Sequence, residues 1–356
     1  METELIHKIF IQWINEEVEN ISQVLLHIYR GSIIENMIHG DIAVLDPAGN
    51  LLKALGDANK LTYMRSCAKP LQAALLVEKG IMEYFSLTDR ELAIICGSHN
   101  AEDFHVEAIY SILNKIGLQE ENLLCGKDYS YNEALKEKML VQGQPKRSVY
   151  NNCSGKHSGI LALCQKEGWD ISSYFLPDHP VQQAILENIS YYTDLPSGDI
   201  GIGVDGCGVP VFAMPLAKMA LAYSRLINSS SNNQANKSAK KQAAERIVKA
   251  MTSYPPMVAG TGEFCTALLA AGKGDILAKK GSDGVYCCAV KDGPAIALKL
   301  EDGNMKYLPL VMTEILNQLD ILNHQQKQAL SVFDHWDNLN CRGEVIGKTE
   351  TVFTLK

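Results

Sequence analysis

The amino-acid sequence predicts an α+β protein whose antiparallel sheet is built from N- and C-terminal strands, with a helical middle. Short apolar runs with alternating character, bounded by turn residues, occur at 33–55 and again at 276–300. Between them, from about 66 to 250, apolar residues recur at helical spacing, which predicts a helical lobe beside the sheet.

Size, charge and cysteine content narrow the classes of function. With 356 residues, we expect residues 1–356 to form a single catalytic domain. A net charge of −8 and the absence of a Lys/Arg-rich run argue against a nucleic-acid partner. Ten cysteines without a secretory signal or an apolar membrane span lead us to expect a cytoplasmic protein with reduced thiols and no membrane contact.

The elements nearest the N-terminus follow from apolar spacing. Ile6, Phe10, Trp13 and Val18 predict a helix over 2–29, and we expect residues 1–28 to be a helical extension of the domain. Strands are predicted at 33–37, 42–45 and 51–55, with a turn at 46–50.

The remaining elements are assigned in the same way. Helices are predicted at 67–79, 89–96, 102–115, 131–140, 157–167, 179–193, 210–226, 242–252 and 262–272. The polar stretch 228–241 is predicted to be an exposed loop. Strands at 276–280, 284–290 and 295–300, a helix at 305–322 and a strand at 341–347 complete the chain.

Ser66 and Lys69 give the first chemical signal. Spaced i and i+3 at the start of an apolar helix, they share one helical face. A neutral lysine can take the serine proton, but lowering a lysine pKa from ~10.4 to about 7 costs roughly 4–5 kcal/mol. Burial and neighbouring cations can supply this. A plain helix cap at Ser66 with a solvated Lys69 is an equally good interpretation of the spacing alone.

Two later segments could complete such a centre. Ser98 lies in a turn with His99 and Asn100, where it could supply a second hydroxyl, although capping of the next helix is the simpler interpretation. Lys280 precedes a glycine at a strand edge, where an ammonium group could hold a carboxylate or move a proton. An ordinary charged hairpin is the alternative there.

A third signal is a polar, glycine-rich turn at 150–159 that precedes an apolar helix. Cys153 and Lys156 share one face of this turn, and Cys207 lies between glycines in a later loop. Together they could make a soft metal site, with Asp205 and His157 as orienting groups. Buried thiols and a lysine that holds a ligand directly are the alternative.

These motifs together resemble the asparaginase II-like family of the Rhizobium etli inducible type. The stretches that carry the resemblance fall in family order over roughly residues 29–347: Tyr-Arg-Gly-Ser at 29–32, Leu-Gly-Asp at 55–57, Arg-Ser-Cys-Ala-Lys-Pro at 65–70, Ser-His at 98–99, Asn-Asn-Cys-Ser-Gly-Lys-His at 151–157, Asp-Gly-Cys-Gly-Val-Pro at 205–210, Met-Val-Ala-Gly-Thr-Gly-Glu-Phe-Cys at 257–265 and Lys-Gly at 280–281.

The resemblance implies a fold similar to serine β-lactamases and glutaminases, and a homodimer. It implies two serine–lysine pairs, Ser66 with Lys69 and Ser98 with Lys280. It also implies a zinc ion held by Cys153, Lys156 and Cys207. We expect the residues that bind substrate to be Arg65, His99, Asn152, His157 and Asp205.

The resulting functional hypothesis is an amidohydrolase, an L-asparaginase that converts L-asparagine and water to L-aspartate and ammonia by acyl transfer. Ser66 is the expected nucleophile and Lys69 its base, with Ser98 and Lys280 relaying protons; attack by Ser98 is the reverse assignment. A glutaminase or another Ser–Lys amidase is one alternative. A metal- or amino-acid-binding protein without turnover is another.

Overall fold

The computed structural model describes residues 21–229 and 238–356. Its main sheet has eight strands, and all neighbouring strands pair antiparallel. The strands are β1 (Gln23–Arg30), β2 (Ile33–Leu45), β3 (Leu51–Leu55), β7 (Ile276–Lys280), β8 (Val285–Val290), β9 (Ala295–Leu300), β10 (Trp336–Leu339) and β11 (Val345–Thr351). Their order is β10-β11-β1-β2-β9-β8-β7, with β3 paired to β2. The prediction of one sheet drawn from both ends of the chain is confirmed.

The predicted N-terminal helix is wrong over residues 23–29, and its earlier part lies outside the described residues. Residues 23–30 form β1, in which Leu26 pairs with Ile38 on one side and Thr351 on the other. Leu25 and Leu26 are both fully buried, so both faces of the strand are covered at these two residues. A strand buried on both faces has a continuous apolar run, which periodicity cannot distinguish from a buried helix.

A second, three-stranded sheet was not predicted. It contains β4 (Leu61–Tyr63), β5 (Gly201–Val204) and β6 (Pro210–Pro215), in the order β4-β6-β5. The helix predicted over 210–226 therefore starts only at Leu216. Pro210 is the first residue of β6, a position where a missing N–H is tolerated in a strand.

The helices of the middle region are otherwise largely where the spacing predicts them. They are α1 (Lys69–Glu78), α2 (Ile81–Tyr84), α3 (Asp89–Ile95), α4 (Asp103–Lys115), α5 (Glu133–Val141), α6 (Ser154–Glu167), α7 (Pro180–Thr193), α8 (Leu216–Ile227), α9 (Ser238–Ser253), α10 (Pro255–Val258), α11 (Phe264–Gly272), α12 (Leu308–Gln318) and α13 (His324–Leu330). Helix α9 begins inside the predicted 228–241 loop, and the last strand is shifted to 345–351.

Two glycines let the helical lobe close around one turn. An ideal Cβ on Gly155, in the first turn of α6, would lie 2.4 Å from the carbonyl oxygen of Ile94 in α3. An ideal Cβ on Gly97 would lie 2.6 Å from the carbonyl oxygen of Met257. Because neither clash exists, the N-terminus of α6 reaches the turn that follows α3. Within the described ranges, no helix is both long and apolar enough to cross a membrane.

Candidate active site

Two lysine amines converge on the hydroxyl of Ser98. Lys69 Nζ donates to Ser98 Oγ at 2.9 Å, and Lys279 Nζ donates to the same oxygen at 3.0 Å. Both lysine side chains are almost fully buried, at 1% exposure each. Ser98 itself is half-buried, and its hydroxyl oxygen accepts hydrogen bonds from both amines.

Three separate elements build this centre. Lys69 is the first residue of α1, and its Nζ also donates to the carbonyl oxygens of Gly97 and Asn152, at 2.7 and 3.2 Å. Lys279 lies in β7, the edge strand of the main sheet, and donates to the Lys280 carbonyl at 2.7 Å. The Ser98 turn is tied to the lobe by a 2.8 Å bond from its N–H to the carbonyl of Val258.

The pairing of Ser98 with Lys280 is wrong by one residue. Lys280 Nζ lies 2.9 Å from Glu263 Oε2, and it is Lys279 that reaches Ser98. Successive side chains of a strand point to opposite faces, so only one of two adjacent lysines can contact the serine. Both faces of β7 are largely buried, so the sequence pattern gives no sign of which lysine points inward.

The pairing of Ser66 with Lys69 also differs from expectation. The two residues are neighbours in sequence and both are buried, but the hydrogen bonds of Lys69 Nζ go to Gly97, Ser98 and Asn152. Ser66 sits in a short 3-10 helix, Arg65–Ala68, rather than in the α-helix that starts at Lys69. The single α-helical turn assumed for this pair is therefore not formed, and Lys69 Nζ uses its hydrogen bonds on other partners.

A pocket lined by thiols and charged side chains lies next to Ser98. Sγ atoms of Cys153 and Cys207 and a carboxylate oxygen of Asp205 lie within 4.8 Å of one another. Lys156 Nζ is 3.0 Å from Cys207 Sγ and 3.8 Å from Asp205 Oδ2. This pocket adjoins Ser98 because Lys69, which donates to Ser98, also donates to the carbonyl oxygen of Asn152, the residue before Cys153.

Of the two thiols in the pocket, Cys207 is the one that carries negative charge. A hydrogen bond from Cys153, with the help of Lys156 and against the effect of burial, lowers the pKa of the Cys207 thiol to about 5. The same bond and burial raise the pKa of Cys153 to about 12. Burial disfavours an ammonium at Lys156, but Cys207, Cys153 and Asp205 together raise its pKa above the ordinary value. One thiolate and one ammonium therefore face each other at neutral pH.

The donor set of this pocket fits a zinc ion. Thiolate sulfur with nitrogen or carboxylate oxygen is the set that zinc favours, and ligands held at about 2.0–2.3 Å lie about 4 Å or less from one another. The ligand atoms of Cys153, Cys207 and Asp205 lie within 4.8 Å of one another, so small side-chain shifts would bring them to that spacing. Lys156 could join them only as a neutral amine, which would replace the ammonium–thiolate pair.

A profile of the L-asparaginase II family matches residues 26–351, nearly the whole chain. The chain belongs to the L-asparaginase II family. The profile match covers both walls of the site: the serine–lysine centre and the thiol pocket lie inside it. A comparison with curated protein sequences found no match.

Solved structures similar to this L-asparaginase II family chain have low sequence identity. One structure of Mglu shares 15% identity over 79% of this chain and 67% of its own, with a TM-score of 0.35. Mglu in its glutamate form shares 15% over 79% of this chain and 61% of its own, with a TM-score of 0.36. A putative beta-lactamase from Bacteroides dorei shares 11% over 88% of this chain and 98% of its own, with a TM-score of 0.40.

Among the substrate-binding residues predicted for this family member, Arg65 and Asp205 pair with each other. Arg65 Nε lies 2.9 Å from Asp205 Oδ1, and Arg65 also contacts Asp283. Arg65 has φ +49°, in the left-handed region that is unfavourable for a side chain of this size. The Arg65 side chain lies against the thiol pocket, where it meets Asp205.

His99 is buried and uses both ring nitrogens in contacts within the protein. His99 is fully buried; its Nδ1 accepts from the N–H of Ala101, so Nε2 carries the proton and donates to Ser154 Oγ at 2.8 Å. Burial holds the pKa of His99 well below its usual value. These contacts favour a role in fixing the Ser98 turn over direct contact with a substrate.

His157 and Asn152 differ from His99, because one has a ring nitrogen that is unpaired within the described part of the chain and the other is only half-buried. His157 Nδ1 pairs with Tyr174 Oη at 2.7 Å, whereas its buried Nε2 has no protein partner among the described residues. Burial and Lys156 lower the pKa of His157 to about 3, so the ring is neutral. Asn152 is half-buried beside Lys69. Contact of either side chain with substrate stays a prediction.

Sequence reasoning missed Lys279, Glu263 and Asp283. Glu263 accepts from both Lys280 Nζ and Asn100 Nδ2, so it joins the end of β7 to the Ser98 turn. Asp283 lies in the turn between β7 and β8 and contacts Arg65. Both acids are remote in sequence from their partners, and no local spacing indicates such contacts.

Proposed function

We propose that this protein is an L-asparaginase that hydrolyses the side-chain amide of L-asparagine through a covalent intermediate on Ser98. The observation that carries the proposal is the pair of amines at 2.9 and 3.0 Å from Ser98 Oγ. The family supports amide hydrolysis, and the half-buried hydroxyl beside a charged pocket suits a small polar substrate. This choice reverses the sequence-based assignment, in which Ser66 attacks.

The two lysines take different roles in the proposal. Lys69 Nζ has three oxygen partners, which use all three donors of an ammonium group. Burial, opposed by Cys265 and assisted by the positive charge of Lys69, lowers the pKa of Lys279 to about 8. Lys279 is therefore the amine that can be neutral near physiological pH, and we assign it as the base.

The proposed reaction has two steps. Ser98 Oγ attacks the carbonyl carbon of the side-chain amide while its proton passes to Lys279. The C–N bond then breaks, the leaving nitrogen takes that proton and departs as ammonia, and an ester to Ser98 remains. Water gives a proton to Lys279 and attacks the ester; the proton returns to Ser98 as L-aspartate leaves.

Cys153, Cys207 and either Asp205 or a neutral Lys156 would hold zinc in this proposal. A bound zinc ion supplies a positive centre that can orient a polar substrate. Arg65 remains paired to Asp205 and offers a cation for a substrate carboxylate at the same wall. The homodimer implied by the resemblance stays a prediction.

Ammonia release from asparagine, glutamine and a penicillin-type lactam tests the proposal. Turnover of asparagine with much slower turnover of glutamine supports an asparaginase. Preference for glutamine would assign a glutaminase, and lactam opening without ammonia release would assign a lactam hydrolase. Ligand-dependent thermal stabilisation without any turnover would point to a binding protein.

A further inference from the structure

The peptide group that joins Lys279 to Lys280 lies between two buried thiols. Cys67 Sγ donates to the carbonyl oxygen of Lys279 at 3.0 Å, and the N–H of Lys280 donates to Cys265 Sγ at 3.1 Å. Both cysteines are buried, at 0% and 2% exposure. Strand β7 is an edge strand, so its peptide groups on the outer side depend on side chains such as these for partners.

Cys67 belongs to a different element from Lys279. It follows Ser66 in the 3-10 helix Arg65–Ala68, and Tyr223 Oη donates to its carbonyl oxygen at 2.8 Å. An ideal Cβ on Gly281 would lie 3.2 Å from Cys67 Sγ, so the absence of a side chain there lets this turn pack against the end of β7. The Cys67 thiol therefore connects the 3-10 helix that contains Ser66 to β7, the strand that carries the proposed base.

We propose that Cys67 is a positioning residue: its thiol fixes the backbone of Lys279 so that the lysine amine stays at Ser98. The inference rests on the proposed function, in which Lys279 is the base. A long lysine side chain loses rotamer freedom when it is held in place, and an anchored backbone limits the positions that its amine can reach. A displacement of about 1 Å at a reacting group can cost on the order of 100-fold in rate.

A thiol suits this position better than a hydroxyl in one respect. It is a weak donor that behaves as a small apolar group, so it can fill a dry wall with a smaller desolvation cost. The surrounding side chains are consistent with that need, since Tyr223 and Cys287 are also fully buried. A serine would keep the donor but is shorter and more polar.

The charged and titratable groups that surround Lys279 make its position measurable. Burial contributes most to its lowered pKa, and its neighbours follow. Those groups come from α1, the Cys96 end of α3, the 3-10 helix, α11, β7 and β8: Lys69, Cys96, Cys67, Cys265, Glu263, Lys280 and Cys287. A displaced amine would change its distances to them and to water, and therefore the pH at which it loses its proton.

The test compares Cys67→Ala and Cys67→Ser with Cys288→Ala. Cys288 is an equally buried thiol, but it pairs in register with Ala278 and not with Lys279. For each protein we would measure the thermal midpoint, kcat and KM for asparagine, the pH dependence of kcat/KM, and a crystal structure of Cys67→Ala.

We expect Cys67→Ala to lower kcat on the order of tenfold or more with little change in KM. We also expect the midpoint of its acid limb to move by about half a unit or more. Cys67→Ser should recover most of the rate, and Cys288→Ala should leave both quantities unchanged. In the Cys67→Ala crystal structure, Lys279 Nζ should move away from Ser98 Oγ.

Equal rates and equal acid limbs in Cys67→Ala and Cys288→Ala would overturn the inference, as would an unmoved Lys279 in the crystal structure. A lower thermal midpoint with an unmoved acid limb would assign Cys67 a structural role only. If wild-type protein releases no ammonia from any amide, the proposed function fails on that result alone. The crystal structure would then still decide whether the thiol fixes the lysine.

Discussion

Lys279 Nζ lies 3.0 Å from the Oγ of Ser98, and this contact joins the edge of the main sheet to a turn in the helical lobe. The strand brings the amine, the lobe brings the hydroxyl, and Lys69 approaches the same oxygen from α1. Each group comes from a different part of the chain, so the chemistry depends on the packing of sheet against lobe.

Replacement of Lys279 by methionine should abolish most amide hydrolysis. A positioned general base contributes typically about 10²–10⁴-fold, so we expect a loss of that order in kcat. Lys280→Met is the matched control, because Lys280 is the adjacent residue but pairs with Glu263. Ammonia release measures both variants, and a larger loss in Lys280→Met would return the base to the residue predicted from the sequence.

The pH dependence of kcat/KM should report Lys279. Its pKa is lowered to about 8, chiefly by burial, and only the neutral amine can take the serine proton. Activity should therefore rise with pH through about 8 and level off above it. A steady-state pH series on wild-type protein checks this, and Lys279→Met should lose that limb. Activity that falls as the pH rises from 7 to 9 would contradict the assignment.

These two predictions show what sequence could and could not supply. The Ser-x-x-Lys spacing, the Ser98 turn and the cysteine-containing loops indicated which segments meet, and the structure brings them together. The identity of the second lysine could not be predicted. Both faces of β7 are largely buried, so the alternation of its side chains does not indicate which lysine points toward Ser98. The partners of Lys69 could not be predicted either, because Gly97, Ser98 and Asn152 are all remote from it in sequence.

Prediction of the fold from the sequence is limited by the similarity between short buried strands and helices. Strands with exposed and buried faces, or with clear turn signals, were placed well; Leu51–Leu55 matches its prediction at both ends. Helix is predicted at β1 and β6 because short apolar runs such as those in these strands fit either structure. Pairing of β1 with β11 depends on contacts between residues more than 300 positions apart, which local patterns do not encode.

Gly155→Ala should destabilise the protein. Its Cβ would lie 2.4 Å from the Ile94 carbonyl oxygen, a backbone atom that can yield only by moving α3 and α6 apart. Overpacking of this kind costs about 1–3 kcal/mol. Chemical denaturation measures the change in free energy of unfolding. Gly198→Ala is the control, since nothing lies within 4 Å of its ideal Cβ; equal stabilities of the two variants would contradict the packing described for this turn.

Cys207→Ser should remove metal from the protein if zinc occupies the thiol pocket. Elemental analysis of wild-type protein should give about one zinc per chain, and the variant should retain little, because a tetrahedral site loses one of its few thiolates. A lower thermal midpoint after chelation should accompany the loss. Cys164→Ser changes a buried cysteine outside the pocket and should keep its metal. Equal zinc content in both variants would place the metal elsewhere.

The central claim is that Ser98 carries the acyl group, and the rates of ammonia release by Ser98→Ala and Ser66→Ala test it most directly. Both variants should be compared with wild-type protein at equal folded concentration and saturating asparagine. We predict that Ser98→Ala loses turnover to near the uncatalysed level while Ser66→Ala keeps a measurable fraction. Substantial turnover by Ser98→Ala, with none by Ser66→Ala, would contradict the account.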